Sequence, residues 1–147
     1  MPPLLGRAFP TDFKGTPPRI GGKEVRLWSW WQENFASFWE LVYFDVKVGH
    51  GDVAEPGTPV NVARAWNDIT RFRIDMVAFS DSEWLLVEFR LEAGPGALGS
   101  VQMYKTLWLA DPPDDRPVRA IIVTDRSTVD LSAVAALGGT AMLIADI

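Results

Sequence analysis

The stretch RFRIDMVAFSDSEWLLVEFRLEAG, Arg71 to Gly94, decides the fold. Two apolar, β-branched and aromatic runs, Phe72 to Phe79 and Glu83 to Leu91, flank the turn residues Ser80-Asp81-Ser82 and predict neighbouring antiparallel strands. A symmetric hairpin over that turn pairs residues whose numbers sum to 163, so Asp75 faces Glu88 and Arg73 faces Arg90. Directly opposed residues on one sheet face lie about 4.5–5.5 Å apart at Cβ, and like charges there destabilise the sheet. A cation has to compensate. It is either a divalent metal, since Mg²⁺ takes carboxylate and carbonyl oxygens, or the two arginines, which make the cluster self-neutral.

Working outward, LVYFDVKV (Leu41 to Val48) reads as a further strand ending at Gly49-His50-Gly51. Before it, LWSWWQENFASFW carries Trp28, Trp31, Phe35 and Phe38 at steps of three and four, a helix with Ser29 and Gln32 as a capping box. Residues 52–70 read as loop, within which VNVARAWNDI, opened by Pro59, offers at most a short helix. After the hairpin, ALGSVQMYKTLWLA is a helix stopped by Asp111-Pro112-Pro113, VRAIIVT a buried strand, VDLSAVAAL a short helix and TAMLIADI a last strand. The expected class is α/β with a mixed, hairpin-containing sheet, in the order helix, three strands, helix, strand, helix, strand. Residues 27–147 form one domain, preceded over 1–26 by an extended arm.

The arm, MPPLLGRAFPTDFKGTPPRIGGKE, has five prolines and cannot form a helix or a central strand. Through Leu27 it carries five basic against two acidic residues, a net +3, inside a chain of net charge -5. That acidic balance argues against a nonspecific nucleic-acid coat. The absence of cysteine excludes disulfides, thiolate metal sites and cysteine nucleophiles. No apolar run approaches the roughly 18 residues of a membrane span, so no membrane partner is expected. Seven Trp and eight Phe are a heavy aromatic load; the tryptophan-rich helix puts one side in the core and leaves Trp30 to meet a partner.

An Asp on one strand and Glu-x-Arg on the next, within that element order, resembles the PD-(D/E)xK nuclease superfamily over residues 28–124. In that family the two carboxylates and the carbonyl between Glu and Lys hold Mg²⁺, which carries over to Asp75, Glu88 and the backbone of Phe89. The restriction-endonuclease-like core of that family is the fold implied. The wording YFDVKVGHG, RIDMV, VEFRLEAGPGALGS and YKTLW also looks like small proteins encoded by tailed bacteriophages. Two departures stand out: Arg90 replaces the motif lysine, and Ser100 stands four residues before Tyr104 where the RecB-like branch carries glutamine. Lys105 offers a relocated amine. The resemblance implies one of two roles. Either the site is degenerate and the chain is a structural virion component, joined to other virion proteins or copies of itself through the arm and exposed aromatics. Or it is an active Mg²⁺-dependent DNA nuclease, with Asp75, Glu88, Arg90, Lys105 and Tyr104 as its site. Virion or host cytoplasm is the location either role implies.

Two other patterns stand in the sequence. GPGALG, with Asp125 beyond the next strand, matches a dinucleotide fingerprint, but a charged antiparallel hairpin precedes it rather than an opening βαβ half, and the glycines more simply turn the chain into the helix. His50, the single histidine, reads as a loop residue between glycines.

Overall fold

The computed structural model describes residues 1–147 as an α/β fold with a six-stranded mixed sheet. In chain order the elements are β1 (Ala8–Pro10), α1 (Val25–Phe35), β2 (Leu41–Val48), α2 (Val60–Ile69), β3 (Phe72–Phe79), β4 (Trp84–Phe89), α3 (Pro95–Ala110), β5 (Val118–Thr124), α4 (Val129–Leu137) and β6 (Thr140–Ile144). Spatial order follows chain order. β1 to β4 pair antiparallel, and β5 and β6 add parallel.

The apolar runs form strands because each has side chains for two faces. One core lies under α3 and α4, where Val77, Trp84, Leu86, Ala120 and Ile122 meet Val101, Trp108 and Ala135. The other lies under α1, where Val42, Phe44, Met76, Leu85 and Val87 meet Leu27, Trp28 and Trp31. The predicted hairpin register forms over four pairs, from Phe79↔Trp84 to Met76↔Val87. Ser80 closes the turn, its N–H donating to the Glu83 carbonyl at 3.0 Å.

The alternation of faces breaks at one level of the sheet. Residues two apart in a strand share a face, yet Phe44 packs under α1 and Val46 under α3, and Met76 and Ile74 differ in the same way. Both strands turn over at the residue between, Asp45 and Asp75, and these two are skipped in the register between Phe44↔Met76 and Val46↔Ile74. Asp45 adopts φ +53, a left-handed conformation that Asp tolerates better than most residues.

Several expectations change. The capping box is not formed: α1 starts at Val25, after a 3-10 turn over Gly22–Glu24, so Ser29 lies inside it. Gln32 instead donates from Nε2 to the Thr11 and Phe13 carbonyls, both at 2.8 Å, and so pins the arm. The boundary after residue 26 falls within the first turn of α1. The arm adds β1 to the sheet edge, buries Phe9 and Ile20, and bridges Leu4 to Lys47. Its prolines confine it to that edge. Trp30 is engaged within the chain, donating to Asp146 at 2.8 Å. Gly94, Gly96 and Gly99 have negative φ or extended backbone and room for a Cβ, so the turn into α3 does not require them. No helix is long and apolar enough to cross a membrane.

Candidate functional site

The candidate site sits where β3 leaves β4. Beyond Met76↔Val87 the backbone ladder stops, and the next β4 donor, the Phe89 N–H, bonds the Asp75 side chain at Oδ2 (2.9 Å) rather than a carbonyl. The turnover at Asp75 makes this substitution available, because it swings the carboxylate into the gap between the strands. On the far side, Arg90 N–H donates to the Val123 carbonyl at 3.0 Å, tying the end of β4 to β5. N–H and C=O of one strand residue point to the same side, so the Phe89 carbonyl also faces the Asp75 gap.

Glu88 follows the face of Trp84 and Leu86 and points toward α3, only 2% exposed. Asp75 is its acidic neighbour and raises its carboxyl. Arg90 reaches back to Glu88 Oε2 at 2.8 Å. Burial, then the hydrogen bond and charge of Asp75, push the Glu88 carboxyl up to about 8, against the pull of Arg90. A carboxyl so placed keeps its proton at neutral pH. The positive charge that the opposed acids require is thus supplied twice, by one proton and by one guanidinium.

Two groups complete the surroundings. Tyr104, on the buried face of α3, has its phenol pushed up to about 12 by burial and then by the charges of Glu88 and Asp75, while a hydrogen bond with Ser100 opposes the shift. Glu24, at the N-terminal end of α1, is raised by its own burial and by Asp75, with Arg90 opposing. It closes the site from the arm. Nothing in the sequence marks it, since it follows Gly21-Gly22-Lys23 in a segment with no strand or helix periodicity.

The structure brings Asp75, Glu88, Phe89, Arg90 and Tyr104 together, but not Lys105. One residue past Tyr104, about 100° round the helix, its ammonium lies beside Gly139, before β6. Arg73 does not face Arg90 either. It bonds Asp45 Oδ2 at 2.9 Å, with Arg19 on the other oxygen at 3.8 Å. The turnover at Asp45 and Asp75 ends the pairing that would have opposed Arg73 to Arg90. Asp125 accepts from the Glu92 N–H at 2.8 Å, a structural clip between strand ends, and His50 is exposed in its loop.

Hard oxygen donors suited to Mg²⁺ are present in Asp75, Glu88 and the Phe89 carbonyl. However, Oδ2 of Asp75 and Oε2 of Glu88 already accept hydrogen bonds, and no group of three or more His, Cys, Asp or Glu side chains gathers to hold a metal. The donor set fits the ion only once Glu88 gives up its proton. Compared with known proteins, the chain matches no family model, no curated protein and no solved structure.

Proposed function

We propose that the chain is a PD-(D/E)xK-like domain of bacteriophage origin whose centre is closed by its own charges and which serves as a structural part of the virion, at the head–tail or tail assembly. The observation that carries this reading is the setting of Glu88: buried, and covered by the Arg90 guanidinium at 2.8 Å, with burial and Asp75 both pushing its carboxyl up toward the protonated form. Kinship with the superfamily draws support from the order α1, β2, β3, β4, α3, β5, interrupted by α2 between β2 and β3, with the Asp in the middle strand of the antiparallel meander and the Glu in the next. The motif amine is absent. Arg90 holds its charge permanently in a planar fork suited to a carboxylate, and the relocated amine, Lys105, lies elsewhere.

The second reading is an active Mg²⁺-dependent DNA nuclease. The adjacency of Asp75 and Glu88, with the Phe89 carbonyl turned to the same gap, favours it. Those three groups would hold the ion, which supplies Lewis-acid polarisation of phosphate and a more acidic bound water. Arg90 would then offset phosphoryl charge, and Tyr104 would support Glu88.

Plasmid nicking with Mg²⁺ or Mn²⁺ separates the two readings. The closed-centre reading expects no cleavage by the natural chain or by Arg90→Lys, and a fixed copy number of the chain in native particles. Metal-dependent cleavage that disappears in Asp75→Ala overturns it.

A further inference from the structure

Helix α2 is inside out. Val62, Ala65, Trp66 and Ile69 stand at i, i+3, i+4 and i+7, one stripe of a helix. A helix laid on a core turns that stripe inward. Here all four are exposed, Val62 by 51%, Trp66 by 45% and Ile69 by 58%, and no residue of α2 is buried. The less exposed side is polar: Asn67 donates to the His50 carbonyl, and Thr70 Oγ1 at the helix end accepts from the Asp52 N–H at 2.6 Å. The apolar surface continues onto Val53, 92% exposed. Between α2 and the preceding loop it forms an open groove of about 690 Å³.

The chain's own segments do not cover this surface. The arm is committed elsewhere, to the β2 edge and through the Pro2 carbonyl to Arg71. The rim selects the occupant by charge. Asp52 and Glu55 line the groove with no basic residue between them, a net -2, and neither is in an ion pair. A second copy would set acidic rim on acidic rim, and an anionic membrane or a nucleic acid would be repelled. An apolar groove edged by Lys and Arg on another protein meets both the stripe and the rim. We propose that α2 is a docking helix that inserts Val62, Trp66 and Ile69 into such a groove. This inference is independent of the nuclease kinship.

An amphipathic Leu/Lys peptide serves as the probe, with its Leu/Glu counterpart as control. Titrated into the isotope-labelled full chain, the Leu/Lys peptide should give saturable NMR shifts confined to residues 53–72. Affinity should fall about tenfold or more in Val62→Ser/Ile69→Ser, the loss expected of central anchors, and should fall also in Glu55→Lys and with added salt. Both substituted apolar positions are solvent-exposed, so a melting curve like that of the natural chain should accompany the loss. Shifts centred on Glu24, Asp75 and Glu88, equal binding of the Leu/Glu peptide, or no saturable shift overturns the proposal. So does concentration-dependent dimerisation, or binding to anionic vesicles, that Ile69→Ser abolishes.

Discussion

Replacing Glu88 by Gln should stabilise the protein, and by an amount set by pH. Gln reproduces the protonated carboxyl in shape, with an NH₂ to donate to Asp75 and a carbonyl to accept from Arg90, but it never ionises. In the natural chain the folded state keeps the Glu88 proton up to about pH 8, whereas the unfolded chain releases it near 4.5. The folded state therefore binds more protons between those values, and stability falls as pH rises through that window. Each unit is worth about 1.4 kcal/mol, so at pH 7 the ceiling is about 3 kcal/mol. The weaker amide hydrogen bond brings the expected gain for Glu88→Gln to about 2–3 kcal/mol, or about 5–10 °C in melting temperature for a chain of this size. Urea unfolding of both proteins from pH 4 to pH 9 is the assay. The two curves should coincide near pH 4, diverge up to pH 8 and run parallel above it. A difference that stays constant with pH, or a variant less stable than the natural chain at pH 7, refutes the shared-proton account.

Two further outcomes test the scaffold. Gly51 sits at φ +71, and a Cβ there would lie 2.1 Å from the Asn67 carbonyl oxygen; Gly51→Ala should cost about 2 kcal/mol or more, read as a lowered melting temperature, and an unchanged melt would contradict the packing of this loop on α2. Gln32→Ala removes both bonds to the arm carbonyls, worth about 1–3 kcal/mol together, and should speed limited proteolysis between residues 11 and 19 without altering the far-ultraviolet spectrum of the core.

The strands were readable because β2, β3 and β5 are rich in β-branched and aromatic residues and end at Gly, Ser or Asp. The hairpin register was readable because one short polar turn joins β3 to β4. Asp75 and Glu88 were brought to one place by that arithmetic, and Tyr104 by its position on the next helix. The arithmetic failed at Arg73, because it assumed an unbroken ladder while both strands turn over at Asp45 and Asp75. The rotation between neighbouring residues on a helix already told against Lys105. Glu24 and the Gln32 bonds to the arm depend on where a Pro-rich segment docks, which no periodicity encodes. The stripe of Val62, Ala65, Trp66 and Ile69 on α2 was not read from the sequence, and its spacing names a face and not what covers it.

The central claim is that one proton and one guanidinium hold the two carboxylates together and leave the centre closed. Carbon-13 NMR titration of the Glu88 side-chain carboxyl, with and without millimolar Mg²⁺, tests it most directly. The account predicts a midpoint of about 8 that Mg²⁺ leaves in place. A midpoint in the ordinary carboxylate range, or one that drops when Mg²⁺ is added, would contradict it and return the site to the metal-dependent reading.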